Sequence, residues 1–388
     1  MKNKNIFLIY FISCLRNSWF WMGIWVFYYL RFTDYSGIGL IETVLILTTI
    51  FSEIPTGAIA DLIGKKITLL ISLFLSAIGQ LIMALTGNLS GLLISVFIMG
   101  IGAAFYSGTL DAFVYDSLKE KNQQSNYDKI FSKIQSFQLI TIMFCTIVGG
   151  YLYSVSPRLP FFLNSGCLFI GAILSLFLTE PLIDSVKFSF KNFIFQTKQG
   201  FNHLFKSKTV KKQVYLLLSI GCIFTISTEV LDSVLGVEFG FNARSLSLLT
   251  ALILLITSIV VRLSPLLRRK YGDISSVFFI GLLGVGIYLI SPFVTLLLGG
   301  LVLILRQSVD SIFQNLSSTT LNKLIPSTYR TTSLSTFNMV KNLPYAIGAF
   351  FIGNLMDTIT ARNFAFILGV LLLAFLIPNY LNLRKNTN

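Results

Sequence analysis

Glu53-Ile54-Pro55-Thr56-Gly57-Ala58-Ile59-Ala60-Asp61-Leu62-Ile63-Gly64-Lys65-Lys66 reads as the end of one apolar helix, a tight reversal and the basic start of the next. Gly57 and Gly64 permit close helix approach and a sharp turn. Asp61 sets a carboxylate at the helix end, where it can pair with a cation or face the positive N-terminus of another helix and so latch one conformation. Thr331-Thr332-Ser333, opening a later apolar run on the same side, is the expected partner. Lys65 and Lys66 pin the turn at a membrane surface.

The rest of the chain supports a membrane reading. Its 388 residues are 54% hydrophobic and only 12% charged, with a mean hydropathy of +0.78, whereas soluble domains carry about 25% charged residues. At about 20 residues per spanning helix, twelve spans take roughly 240 residues and leave no room for a large soluble catalytic domain. Apolar runs fall near 6–30, 37–60, 67–87, 91–116, 129–153 and 160–180, and again near 213–238, 245–267, 274–291, 293–320, 331–354 and 363–383. Between them lies a polar stretch, 181–212, with seven lysines. The expected fold is therefore an all-α polytopic membrane protein: a six-helix bundle over 1–180, a basic linker over 181–212, and a second six-helix bundle over 213–388. The first run continues past any signal-peptide length without a small-residue cleavage site, so it reads as a retained span.

Charge distribution sets the orientation. With both termini and the linker on the cytoplasmic side, 22 of the 30 Lys and Arg residues lie inside, and only Arg31, Arg158, Arg244 and Arg362 lie outside. Such a bias expects cytoplasmic termini and explains the net charge of +14 without nucleic acid. Cys14, Cys145, Cys167 and Cys222 lie in apolar stretches without CxxC spacing, and His203 is the single histidine. Neither disulfides, a metal site nor another cofactor is expected. The abundance of Lys, Asn, Ile and Phe suits a bacterial protein of the cell (inner) membrane.

The two halves echo each other. Gly64-Lys65-Lys66 has a counterpart in Arg268-Arg269-Lys270-Tyr271-Gly272, and Asp116-Ser117-Leu118 in Asn322-Lys323-Leu324, at offsets of 208 residues (64 to 272) and 206 (116 to 322). Such a repeat points to two pseudo-symmetric bundles around a central site.

On these residues the chain resembles the major facilitator superfamily, whose loop between spans two and three reads Gly-x-x-x-Asp-x-x-Gly-Arg/Lys-Arg/Lys, matched here by Gly57, Asp61, Gly64, Lys65 and Lys66. The resemblance implies that this loop, with Glu53 beside it, is a conformational latch. It also implies alternating-access transport by a protein that is commonly monomeric. A closer resemblance is to the bacterial drug-efflux-like branch, carried by the Glu53-x-Pro55-x-Gly57-x-x-x-Asp61 run and by Ser107-Gly108 in span four. Of the antiporter signature in span five, Gly149-Gly150 stands.

Ionisable groups at membrane depth are expensive and mark function by default. Arg16 (span one), Arg306 (span ten) and Lys341 (span eleven) are the basic set; Asp111 (span four), Glu229 and Asp232 (span seven) and Asp310 (span ten) are the acidic set. Spans one, four, seven and ten line the central cavity in the resembled superfamily. Glu229 and Asp232, three residues apart, suit proton coupling or substrate binding, or a salt bridge to Lys341 or Arg16. Arg306 and Asp310, four apart on one face, could neutralise each other. Asp116 is expected to pair in solvent with Lys119 and Lys121. Trp19 and Phe20, near Arg16, are a possible pocket for an amphipathic ligand within an aromatic-rich span.

No GxxxxGK[ST] loop is present, so transport would be secondary. The leading expectation is proton-coupled efflux of amphipathic small molecules; uptake or exchange of a small polar or anionic solute is the second. A membrane-embedded lipid-processing enzyme, which needs a nucleophile or base near the interface, is the reading from another class, and the chain is not expected to be an enzyme.

Overall fold

The computed structural model describes residues 4–181, 190–205, 207–325 and 330–384. Helices account for nearly all of them, and there is no strand among the described residues. Contacts divide the chain into two compact units, Met1–Phe190 with Ala243–Ala251, and Lys191–Asn242 with Leu252–Asn388.

In unit 1 the helices are α1 (Lys4–Arg16), α2 (Trp25–Tyr29), α3 (Tyr35–Ile63), α4 (Lys65–Leu85), α5 (Leu89–Tyr106), α6 (Thr109–Lys119), α7 (Tyr127–Val155) and α8 (Leu159–Ser175). They make six spans, because α1 with α2 and α5 with α6 are broken spans. Unit 2 is built from α9 (Phe190–Phe205), α10 (Lys208–Ile226), α11 (Asp232–Glu238), α12 (Ala243–Val260), α13 (Ser264–Tyr271), α14 (Asp273–Ile290), α15 (Leu296–Leu324), α16 (Arg330–Ile359) and α17 (Ala361–Arg384). Phe190 and the first half of α12 cluster with unit 1. Joining α10 to α11 and α12 to α13 gives six further spans. Among the described residues, nine helical segments, with α5–α6, α10–α11 and α12–α13 each counted as one, are long and apolar enough to cross a bilayer; broken α1–α2, short α8 and polar α16 complete the twelve.

Local chemistry sets the helix ends. Asp34 caps α3, accepting from the Gly37 N–H at 2.9 Å and the Ser36 hydroxyl at 2.6 Å, and these donors hold its carboxyl below the usual carboxylate range. Asn88 accepts from the Gly91 N–H at 2.8 Å to cap α5, and Ser207 from Val210 at 3.1 Å to cap α10. Gly64 ends α3 and opens α4 with φ of 87°, and Gly272 does the same between α13 and α14 with φ of 79°. A side chain there would be strained, so the residues that suggested duplication occupy equivalent turns.

Packing repeats as well. Unit 1 pairs α4 with α5 and α8, and α1 with α7 and α8; unit 2 pairs α14 with α15 and α17, and α10 with α16 and α17. In span numbers these are 3–4, 3–6, 1–5 and 1–6 against 9–10, 9–12, 7–11 and 7–12. The core of unit 1 gathers Ile9 and Ile12, Leu69 and Leu73, Phe113 and Leu168 from α1, α4, α6 and α8.

One sequence expectation needs correction. Span one is not continuous: α1 stops at Arg16, and turns carry the chain through 17–24 before α2. In place of a side chain, Gly149 of α7 leaves room for this break, since a Cβ there would lie 1.7 Å from the Phe20 carbonyl oxygen. Within the basic linker lies α9, whose C-terminal end is held by buried Leu204 and by the Phe205 ring 5.7 Å from Tyr215.

Candidate functional site

The charges singled out along the sequence fall into two groups. In unit 2, span seven loses α-helical geometry at Ser227–Leu231, a π turn in which the Asp232 N–H donates to the Ser227 carbonyl five residues back. Such turns widen a helix and re-aim its side chains, and they recur at functional sites. The stretch 17–24 in span one and this turn fall at the same place once the halves are offset by 208 residues.

The turn separates the neighbouring carboxylates. Asp232 is buried, forms an ion pair with Arg306 of α15, and accepts from the Gln307 amide at 2.6 Å. Arg306 is 5% exposed, and its guanidinium lies 4.5 Å over the Tyr288 ring of α14. The Tyr288 hydroxyl in turn bonds Ser227 on the turn itself. The i,i+4 pairing expected between Arg306 and Asp310 is thus not formed, because the π turn delivers Asp232 to Arg306 first.

Asp310 belongs to a second chain of contacts. It accepts from the Thr228 hydroxyl at 3.3 Å and the Gln314 amide at 3.2 Å, and the Gln314 oxygen accepts from Lys341 Nζ at 3.2 Å. Gln314 therefore connects the carboxylate of α15 to the ammonium of α16 without direct ion pairing. Lys341 is buried, while Glu229 is exposed on the turn. Arg306 Nε and Nη1 have no protein acceptor among the described residues. They border a cavity of about 10 Å³ lined by Ser227, Thr228, Asp232, Tyr288, Arg306 and Asp310, room for about one water molecule.

Unit 1 has a different interior. Arg16 ends α1, Tyr106 ends α5, and the guanidinium sits 5.1 Å from the Tyr106 ring centre. Two broken spans meet there, with no carboxylate paired to Arg16 among the described residues. Trp19 lies in the break with its ring 5.6 Å from Trp21, and the indole N–H of each is buried without a protein acceptor. Phe20 contributes its backbone to the Gly149 contact. Asp111 is exposed, on the far side of the Ser107-Gly108 break in span four.

The loop between α3 and α4 is tied within unit 1. Lys65 pairs with Asp116, not Asp116 with Lys119 and Lys121, because the turn carries the Lys65 ammonium to the end of α6. Glu180 accepts from the Lys65 and Lys66 N–H groups at 2.7 Å each, capping α4 with a carboxylate where its dipole is positive. Glu53 is exposed and accepts from the Ser107 hydroxyl at 3.4 Å. Gly57 lies inside α3. The side chains of Asp61, Thr331, Thr332 and His203 lie outside the described residues. Sequence reasoning missed Glu180, Tyr288, Gln307 and Gln314: the first stands alone at a span end, and the others sit in apolar or mixed runs without a motif.

The Major Facilitator Superfamily model matches residues 6–349. The chain belongs to the Major Facilitator Superfamily. A relative from Bacillus subtilis (strain 168), an uncharacterized MFS-type transporter named YxaM, is 23% identical over 256 residues. That match spans 63% of this chain and 62% of the relative's length. Among solved structures, nucleoside transporter NupG superposes with a TM-score of 0.77 at 16% identity, covering 99% of this chain and 100% of that one. A POT family transporter in complex with 5-aminolevulinic acid gives 0.73 at 16% identity over 99% and 96%. A bacterial homologue of the human lysosomal transporter Spinster, inward-facing, gives 0.74 at 13% identity over 98% and 96%. These identities establish the shared fold. As a member of that superfamily, matched over residues 6–349, the chain is a multi-pass membrane transport protein and not an enzyme, and the lipid-processing reading falls away.

Proposed function

We propose that this superfamily member is a proton-coupled secondary transporter that exports amphipathic small molecules by alternating access, from a bacterial inner membrane with both termini cytoplasmic. The gathering of Glu229, Asp232, Arg306, Asp310 and Lys341 around the π turn of span seven carries the coupling part of this reading. Charges at membrane depth are retained where they pair, bind substrate or pass protons, and interrupted helices mark binding sites in transporters. Here the Asp232–Arg306 pair is the fixed element. Glu229 and the Thr228–Asp310–Gln314–Lys341 chain are the elements able to change protonation. The indoles of Trp19 and Trp21 beside the Arg16–Tyr106 contact support an amphipathic solute with an aromatic portion. The loop tied by Lys65, Asp116 and Glu180 serves as the latch, and the two halves act as separate bundles joined by the 181–212 segment.

The test is proton movement in liposomes holding the purified protein, with an imposed pH gradient and a panel of cationic, neutral and anionic amphipathic solutes. Solute-dependent proton flux with exchange of solute against protons is expected. Solute movement that ignores the pH gradient would overturn the coupling, and net proton-independent uptake of a small polar or anionic solute would favour the second reading.

A further inference from the structure

One face of α10 runs from charge to grease. Lys208, Lys211, Tyr215, Ser219 and Cys222 follow one another at helical spacing, so they form a single stripe. Its upper part is exposed: Lys208 and Lys211 face solvent, and Lys211 Nζ lies 5.6 Å from the Tyr215 ring centre. The lower part lines an open groove of about 350 Å³ between α10 and α17, formed by Tyr215, Leu218, Ser219, Cys222, Phe375 and Asn379. That volume lies in the range of about 300–1,000 Å³ typical of ligand sites. At the head of the groove, Lys212 Nζ donates to the Asn382 side chain at 2.7 Å and carbonyl at 3.0 Å, which fixes the top of α17 against α10.

The linker helix α9 closes the same corner. Phe201 packs 4.7 Å from Phe205, which lies 5.7 Å from Tyr215. Ile194, Phe195 and Phe201 nevertheless remain exposed, beside exposed Lys198. An apolar helical surface flanked by lysines suits the boundary between headgroups and acyl chains.

We propose that the corner formed by α9, α10 and α17 is a binding site for an anionic phospholipid. The acyl chain lies in the groove between Leu218, Ser219 and Phe375, and the headgroup phosphate meets Lys208 and Lys211. Charge complementarity selects the occupant. The groove opens on its apolar flank toward the bilayer, and its head holds ammonium groups with no acidic residue in the lining, so a zwitterionic lipid gains less than an anionic one. The site uses none of the buried charges of unit 2, although Cys222 at its floor lies near Lys341, and does not depend on the direction or coupling of transport.

The experiment is native mass spectrometry of the full chain released from membranes containing equal amounts of phosphatidylglycerol and phosphatidylcholine. Retention of phosphatidylglycerol over phosphatidylcholine is expected, falling roughly fivefold for each lysine removed in K208Q and K211Q. Filling the groove with S219F should release the retained lipid while both lysines stay. Equal retention of the two lipids, or a preference unchanged in K208Q/K211Q, overturns the headgroup assignment. A preference that survives S219F in protein eluting as the parent does overturns the groove. K208Q/K211Q alters only exposed residues, so its result stands even where S219F fails to fold.

Discussion

Replacing Asp232 by Asn removes one charge from the interior of unit 2 with little change of shape. Gln307 keeps an acceptor, because the Asn oxygen can take the amide that now donates to Asp232 at 2.6 Å. Tyr288 keeps its place over Arg306 at 4.5 Å. What changes is that a guanidinium 5% exposed loses its carboxylate. At about 4 Å and an effective dielectric of about 20, that attraction is about 4 kcal/mol, in line with the roughly 3–5 kcal/mol lost when one partner of a buried pair is removed. For a unit of about 150–250 residues, 1 kcal/mol moves Tm by about 2–4 °C, so D232N should melt roughly 6–20 °C lower. Thermal unfolding of the purified protein in detergent measures this. The double variant D232N/R306M should be more stable than D232N, since the unpaired cation goes too. A D232N protein melting within about 2 °C of the parent, or a double variant no better than D232N, would refute the paired-charge description.

Further outcomes follow from other parts of the molecule. E229Q should keep solute binding while losing the pH dependence of transport; unaltered gradient-driven transport removes Glu229 from the coupling. G64A should destabilise unit 1 by about 1–2 kcal/mol from its φ of 87° alone, and more because the new Cβ would meet the Glu180 carboxyl carbon at 2.9 Å; an unchanged melting temperature would contradict this. D34A should lower stability by about 1 kcal/mol. Since the Asp34 carboxyl is held below its ordinary value of 3.8, its contribution is complete above that value and is lost as pH falls through the lower folded value. The difference between D34A and parent should therefore be flat from about pH 7 to 5 and vanish only in strong acid. Exchanging the charges in K65D/D116K should restore stability lost in either single variant, and failure of the exchange would refute the Lys65–Asp116 tie.

The architecture was legible because the bilayer imposes it: long apolar runs, loops rich in lysine and the Gly64 and Gly272 turns all obey strong, local rules. Which spans carry charge was legible for the same reason, since Asp232, Arg306, Asp310 and Lys341 stand out in apolar surroundings. Their pairing was not. Helical spacing puts Arg306 beside Asp310 and Glu229 beside Asp232, but a π turn inserts an extra residue into the register of span seven and sends those two carboxylates different ways. Nothing in Ser227-Thr228-Glu229-Val230-Leu231 announces that turn. Gln314 was equally silent, because a bridging amide has no charge to draw attention and acquires its role only from Asp310 and Lys341 on two different helices.

Comparing the halves separates what duplication preserved from what it released. Each half ties the loop after its second span to the end of its fourth: Lys65 to Asp116 in unit 1, Asp273 to Lys323 at 2.6 Å in unit 2. The charges are exchanged while the positions correspond, at offsets of 208 residues (65 to 273) and 207 (116 to 323). The tie itself is therefore the shared feature, and its polarity is free. Helix N-termini are treated alike too, with Glu180 capping α4 and Glu238 accepting from Ala361 and Arg362 at the start of α17. The interiors diverge. Both first spans are irregular at the same depth, yet unit 1 gives Arg16 an aromatic face, whereas unit 2 gives Arg306 an aromatic face and a carboxylate. On the proposed function this asymmetry divides the labour. Substitutions at Arg16, Trp19 or Tyr106 should alter which solutes are carried, and substitutions around the π turn should alter how transport responds to pH.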